Sequence, residues 1–233
     1  MSRVFITGDT HGTIDFSKLA MRNFPIQREL NKSDILIICG DSALCWSGKN
    51  DDKWLQQWYE DKNFTTLIVD GNHENHTLIS KLPIIEKFGG KVHQISNSVF
   101  YAIRGEVYNF NGKTFLSFGG ADSTDKHLRK EGKSWWSGER ITEEDLENAR
   151  RNVKKYDYID YVITHTGGSE INRFIGFEPS ESDKILDQIL SEIKYGTHYC
   201  GHYHVDLYYL NHRIIYDDVC ELVDYSRYKG EVI

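Results

Sequence analysis

Proline is scarce, three in 233 residues, and nowhere clustered, so the chain has no proline-rich linker to separate one domain from another. No apolar stretch is long enough to make a membrane-spanning helix. Internal repeats and low-complexity segments are absent as well. The four cysteines, Cys39, Cys45, Cys200 and Cys220, form no Cys-x-x-Cys pair. That spacing excludes the usual zinc and thiol-redox motifs and leaves buried, reduced thiols as the expectation. A basic excess is also missing: 28 Lys and Arg against 35 Asp and Glu give a net charge of -7. The overall charge therefore gives no pull toward nucleic acid, although a local basic surface stays open. Met1-Ser2-Arg3 runs directly into an apolar segment. No signal peptide is expected there, and the cytoplasm is the expected location.

What the chain does have is five short polar motifs, each following an apolar run. Val4-Phe5-Ile6-Thr7 precedes Gly8-Asp9-Thr10-His11-Gly12, and Ile35-Leu36-Ile37-Ile38-Cys39 precedes Gly40-Asp41. Leu67-Ile68-Val69 precedes Gly71-Asn72-His73-Glu74, Tyr161-Val162-Ile163-Thr164 precedes His165, and His198-Tyr199-Cys200 precedes Gly201-His202-Tyr203-His204. Such runs read as buried strands. Ligands of open α/β sheets bind beyond the carboxyl ends of the strands, so the motifs should meet at one sheet edge. Because they span Asp9 to His204, a single domain over residues 1–233 is expected.

Between the motifs, Phe16, Leu19, Ala20, Met21 and Phe24 have helical spacing up to Pro25. Trp54, Leu55, Trp58 and Tyr59 have it again, and a short helix should follow Asn72 and stop near Pro83. Val99–Ile103, Glu106–Phe110 and Thr114–Phe118 read as consecutive strands, with Asn111-Gly112 as a hairpin turn. Thr142 to Lys155 is a helix with Thr142 as cap and Asp145 three residues on; Ser182 to Ile193 is another. Leu207–Leu210 and Ile214–Tyr216 form a second hairpin. This mixture of β-α units and hairpins predicts two packed sheets with helices outside.

The motif residues are good hard-metal donors. Asp9 and His11, at i and i+2, share one side of an extended segment and can reach one cation; His202 and His204 repeat the spacing. Asp41 has two oxygens with which to bridge two cations. Asn72 supplies a neutral amide oxygen, and the adjacent His73 is free for proton transfer. Glu74 is expected to hold His73 by a hydrogen bond. An alternative places Asn72 as a helix cap. His165 alone would be a weak signal. The donor types together suit a two-metal site for phosphate ester chemistry.

The order Asp-x-His, Gly-Asp, Gly-Asn-His-Glu, His, Gly-His-x-His resembles the calcineurin-like metallophosphoesterase superfamily over most of the chain. The resemblance implies an α/β fold, a four-layer α/β/β/α sandwich of two mixed sheets flanked by helices. It implies a dinuclear centre of two divalent ions, manganese foremost, with iron, zinc or nickel as alternatives. Carried over, Asp9, His11 and His204 would hold the first ion, Asn72, His165 and His202 the second, and Asp41 would bridge them. A metal-bound hydroxide would attack phosphorus while His73 protonates the leaving oxygen. The chain departs from the family's protein Ser/Thr phosphatases after the second motif. Ser42-Ala43-Leu44-Cys45-Trp46 stands where their Gly-Asp-x-Val-Asp-Arg-Gly continues, so the arginine that grips a phosphomonoester is missing.

The stretch from Gly119 to about residue 140 carries His127, Arg129, Lys130, Lys133, Trp135 and Trp136. Arg129, Trp135 and Trp136 are candidates for holding a phosphate and a stacked base. The other reading is a surface loop whose tryptophans pack on the core. Arg104 and His198 are further candidates for facing the site. The expected function is a phosphodiesterase or broad phosphatase on a small phosphate ester such as a nucleotide. A protein phosphatase, a nuclease using Arg150, Arg151, Lys154 and Lys155, and a non-catalytic metal-binding scaffold are the alternatives. Neither a membrane partner nor nucleic acid is favoured, and the oligomeric state is left open.

Overall fold

A computed structural model describes residues 2–222. Strands β1 (Val4–Thr7), β2 (Ile35–Cys39) and β3 (Thr65–Val69) lie side by side and parallel, and every residue in them is buried. Their side chains alternate between two cores: Ile35, Ile37 and Cys39 enter one, Leu36 and Ile38 the other. Both faces are covered, which is why these runs are continuously apolar. Helix α1 (Asn50–Glu60) covers the outer face through Leu55 and Tyr59. The short α2 (His76–Ile79) follows β3 and is capped by Asn75, whose Oδ1 accepts the Leu78 N–H at 3.1 Å. Asn72 is therefore not the cap, and its amide stays available.

The hairpin of β4 (Ile84–Lys87) and β5 (Gly90–Gln94) leads to β6 (Val99–Ala102). Beyond a crossing at Arg104-Gly105, β7 (Val107–Phe110) and β8 (Lys113–Phe118) form the expected hairpin on Asn111-Gly112. Helix α3 (Glu143–Val153) starts with Thr142 and Asp145 in a reciprocal capping box. It precedes β9 (Ile159–Thr164), α4 (Gly168–Ile175), α5 (Glu181–Glu192) and β10 (Tyr195–Cys200). The second hairpin is β11 (Leu207–Tyr209) with β12 (His212–Ile214), and β13 (Val219–Glu221) returns antiparallel to β1.

Among the described residues, one sheet runs β13-β1-β2-β3-β6-β5-β4 and the other β11-β12-β10-β9-β8-β7. Ile6, Ile37 and Val69 of the first meet Phe115, Ile163 and Tyr199 of the second in the central core. Leu146 of α3 and Leu186 of α5 pack on Leu116 and Val162 outside the second sheet. The result is the expected layering of helices, sheet, sheet and helices. Among the described residues no helix is long and apolar enough to cross a membrane.

One expectation is corrected. The helix over Phe16 to Phe24 is replaced by separate 3₁₀ turns at Phe16–Leu19 and Pro25–Arg28. The Gln27 amide donates to the Leu19 and Phe24 carbonyls at 3.0 and 2.7 Å, and the Lys18 ammonium to the Asp9 and Tyr216 carbonyls. These tertiary bonds use polar groups that a helix would leave unserved, and they override local spacing. The three strands after Val99 all form, yet β6 belongs to the first sheet and β7 and β8 to the second.

Candidate metal centre

The loops after β1, β2, β3, β9 and β10 are tied to one another by backbone bonds. His11 N–H donates to the Asp41 carbonyl at 2.7 Å, and His73 N–H to Asp41 Oδ1 at 2.7 Å. His202 N–H donates to Asp9 Oδ1 at 3.0 Å, and Gly201 N–H to the His165 carbonyl at 3.0 Å. Two motif glycines are forced by this proximity. A Cβ on Gly40 would lie 2.0 Å from His165 Nδ1, and one on Gly201 would lie 2.3 Å from Asp9 Oδ1. Only hydrogen fits between loop and ligand.

Three overlapping donor groups result: Asp9 with His11 and His204, His11 with Asp41 and His73, and Asp9 with Asp41 and His165. Within each, the ligand atoms lie within 4.8 Å of one another. Asp41 belongs to two groups: its Oδ2 is 3.4 Å from His11 Nε2, and its Oδ1 is 3.3 Å from His165 Nε2. Asn72 Oδ1 is 3.0 Å and His202 Nδ1 3.2 Å from that same His165 nitrogen. His204 Nε2 is 3.3 Å from Asp9 Oδ2. All eight motif residues thus converge on one place.

The imidazoles are oriented by partners outside the cluster. His165 Nδ1 lies 2.7 Å from the Cys39 carbonyl, which can only accept, so that nitrogen carries the hydrogen and Nε2 faces the cluster. His11 Nδ1 donates in the same way to Asp15 Oδ2 at 2.7 Å. The Asn72 Nδ2 donates to Ser123 Oγ at 3.1 Å, which turns Oδ1 inward; Glu139, fully buried, fixes Ser123. Asp15, Lys18, Ser123 and Glu139 were not anticipated from the sequence. The i+4 spacing of Asp15 from His11 was their one available signal.

Charge in the cluster is concentrated and buried. Burial works against the charge of His165, but Asp41 and then Asp9 outweigh it and push the imidazole up to about 10. His11 is likewise opposed by burial, yet Asp41, Asp9 and Asp15 raise it to about 9. Burial and the neighbouring His165 push His202 down to about 4. Against burial, His165 and His11 hold Asp41 well below the usual carboxylate range. Two buried carboxylates therefore retain protons on two imidazoles as their counter-charge. Divalent cations would displace those protons and take over as the counter-charge, leaving Asn72 Oδ1, His165 Nε2 and Asp41 Oδ1 as ligand atoms. The donor set, nitrogen and oxygen without thiolate, fits such ions.

Four of the site residues hold left-handed backbone: His11 at φ 40, Asp41 at φ 50, His202 at φ 73 and His204 at φ 52. Non-glycine residues avoid this region, and its clustering here marks backbone held strained by the surrounding bonds.

Several candidate roles fall elsewhere. Glu74 does not touch His73. It is fully buried and accepts from Ser42 N–H at 2.8 Å, Ser42 Oγ at 2.9 Å and Tyr101 Oη at 2.6 Å. Arg104 is a structural hub, 2.5 Å from Asp70 and bonded to the carbonyls of Gly138, Glu139 and Arg140. His198 pairs with His212 at 2.8 Å and Thr164 at 2.7 Å, and burial pushes it down to about 3. Arg150 is paired with Glu192 and Glu147.

The loop from Gly119 is divided. Arg129 reaches His73, with 3.2 Å contacts to both ring nitrogens. Trp136 is buried and packs edge-on against Trp46 at 4.9 Å; Trp46 in turn faces the His73 ring at 6.5 Å. Trp135 sits in the loop's own turn, where its carbonyl accepts the Gly132 N–H. Trp46 was missed as a neighbour of His73.

Comparison with known proteins agrees with this architecture. No curated protein matches. One solved structure aligns with 91% of this chain and 89% of its own, at 11% identity and a TM-score of 0.52, a likeness of fold. A Staphylococcus aureus protein solved with alpha-ketoglutarate, provisionally described as a 5′-nucleotidase, aligns over 92% of this chain and 48% of its own at 16% identity and TM-score 0.47. A cold-active protein-tyrosine phosphatase of a Shewanella species aligns at 14% identity and TM-score 0.35, over 92% of this chain and 71% of that one. The model of the calcineurin-like phosphoesterases matches residues 2–206, where all five motifs lie. The chain belongs to the calcineurin-like phosphoesterase family and is a hydrolase of phosphoric esters.

Proposed function

We propose that this chain is a metal-dependent phosphoesterase for small substrates, a phosphodiesterase or broad phosphatase acting on nucleotides and similar esters. The observation that carries the reading is the position of Asp41, whose Oδ2 lies 3.4 Å from His11 Nε2 and whose Oδ1 lies 3.3 Å from His165 Nε2. Asp9, His11 and His204 would hold one divalent ion, and Asn72, His165 and His202 a second, with Asp41 shared. Such ions supply Lewis-acid binding of phosphoryl oxygens and an acidified water.

The chain's own residues do the rest. Cys39 and Asp15 fix the histidine tautomers, so that Nε2 of His165 and of His11 face inward. His73, part-exposed at 31%, sits at the rim with Nε2 4.0 Å from Asp41 Oδ2, a place from which it can give a proton to a departing oxygen. Arg129 beside it is the cation best placed to meet a phosphoryl oxygen, in a site that lacks the second-motif arginine.

The test is hydrolysis of bis-p-nitrophenyl phosphate and p-nitrophenyl phosphate by the purified protein with manganese, with Asp41→Asn as control. Diester or monoester turnover lost in the variant supports the reading and ranks the two esters. No turnover with any of several metals sinks it.

A further inference from the structure

A cavity of about 380 Å³ opens beside His202 and His204, and Phe177 and Tyr203 line it as well. The volume falls within the usual range for a small-molecule site. Phe177 is 55% exposed, which leaves a face of its ring open to a ligand in the cavity. Its position is set by the end of α4: Gly176 takes φ 90, and the Phe177 N–H returns to the Asn172 carbonyl at 2.8 Å. Tyr203 is fixed more firmly. Its hydroxyl is 3.0 Å from Thr166 Oγ1 and accepts the Gly167 N–H at 2.9 Å. The two rings are nearly parallel, 26° apart, with centroids 6.4 Å from each other. That spacing is shorter than the ~7 Å a ring lying between them would need, so a flat ligand would stack on the exposed face of Phe177.

The charge of the cavity is one-sided. Asp122, Glu178 and Asp183 line it, and no lysine or arginine does. Asp122 is bonded to the Ser182 N–H at 3.0 Å and ion-paired with Arg140 at 2.9 Å, and Asp183 accepts from Thr166 Oγ1 at 2.6 Å, so Glu178, which is exposed, and Asp183 carry the charge. Such a lining repels a second phosphate and accepts N–H donors. We infer that this cavity is the leaving-group subsite, and that it takes an uncharged, N–H-bearing aromatic ring system, a nucleoside carrying a single phosphoryl group. Triphosphates and nucleic acid chains, which would bring further phosphates against the carboxylates, are selected against. The inference rests on the phosphoesterase reading above and supplies the substrate class for it.

Adenosine is the probe, because it has no phosphate to engage the metal cluster. Its binding to the manganese-loaded full chain is measured by calorimetry for wild type, Phe177→Ala and Phe177→Trp. Removing a stacking face weakens adenosine by about tenfold or more, and Phe177→Trp restores it. In parallel, kcat/KM for adenosine monophosphate exceeds that for adenosine triphosphate by about tenfold. Adenosine binding equally to wild type and Phe177→Ala, or failing to bind at all, overturns the subsite. So does a preference for the triphosphate or for a short oligonucleotide. Turnover of bis-p-nitrophenyl phosphate with any of those results leaves the phosphoesterase reading standing while the subsite falls. Absence of turnover on every ester overturns the reading on which it rests.

Discussion

Arg129 spans the imidazole of His73, with Nη1 3.2 Å from Nδ1 and Nη2 3.2 Å from Nε2. A neutral imidazole has one acceptor nitrogen and an imidazolium has none, so this contact favours the unprotonated ring. Burial lowers the His73 pKa, Asp41 partly offsets it, and Arg129 adds to the lowering. A phosphoryl group offers the guanidinium a better, two-point partner. Arg129→Ala should raise KM for a phosphate ester by about tenfold or more, the worth of a charge-assisted bond. It should also move the alkaline limb of kcat to higher pH, because loss of a neighbouring positive charge raises the pKa of the His73 acid. An unchanged KM would remove Arg129 from the substrate site.

His73→Ala separates proton transfer from metal loading. For esters with weakly acidic leaving groups, kcat should fall by about 10²–10⁴. p-Nitrophenyl esters, whose leaving group needs little protonation, should lose less. Metal content, read by mass spectrometry, should stay near that of wild type. A loss of metal in proportion to the loss of turnover would place His73 among the ligands and not at the proton.

Asp41→Asn tests the shared carboxylate. It removes the negative charge that His11 and His165 face at 3.4 and 3.3 Å. Outer partners of metal sites alone are worth about 10–100-fold in affinity, so loss of a direct donor should cost at least about 100-fold. Chelator treatment of wild type should reproduce the inactivity and be reversed by manganese. Full metal occupancy in the variant would contradict the bridging role.

Glu74→Gln should change stability with a defined sign. Burial, opposed by the Tyr101 bond and reinforced by Asp41, raises the Glu74 carboxyl to about 8 from the ordinary 4.5. A carboxyl raised on folding favours the native state fully below pH 4.5, and that advantage is lost as pH rises through about 8. Chelated wild type should therefore lose stability over this window relative to Glu74→Gln, measured by urea unfolding at each pH. Parallel stability curves for the two proteins would show that Glu74 does not titrate there.

Trp136→Ala tests the loop's anchoring. The ring is only 5% exposed and meets Trp46 at 4.9 Å. Truncation should cost about 3–5 kcal/mol of unfolding free energy. A cost below about 0.5 kcal/mol, typical of exposed positions, would show that the ring is not packed.

How far the sequence could be read depended on whether the determinant was local. The strands before each motif were legible, because burial on both faces leaves unbroken apolar runs such as Ile35–Cys39. The capping box of Thr142 and Asp145 was legible for the same reason: both partners lie within one turn. The helix expected over Phe16 to Phe24 failed because its polar groups are served by Gln27 and Lys18, through contacts with no local signature. The hairpin Ile84–Gln94 escaped notice because it mixes half-buried and exposed positions. Within the site, the donor residues themselves stood out in the motifs, whereas their supports did not. Glu74 was assigned to His73, its sequence neighbour, but turns to Ser42 and Tyr101, and Ser123 reaches Asn72 across 51 positions.

The pairing of Val4–Thr7 with Val219–Glu221 gives the centre a place in the timing of synthesis. Strand β1 leaves the ribosome before every other strand described, carrying Asp9 and His11 on the loop that follows it. Its outer partner and the site histidines His202 and His204 emerge about 190 to 210 residues later. Lys18 cannot reach the Tyr216 carbonyl until then either. A growing chain thus exposes Asp9 and His11 long before it can build the cluster, and metal capture waits until His202 and His204 have been made.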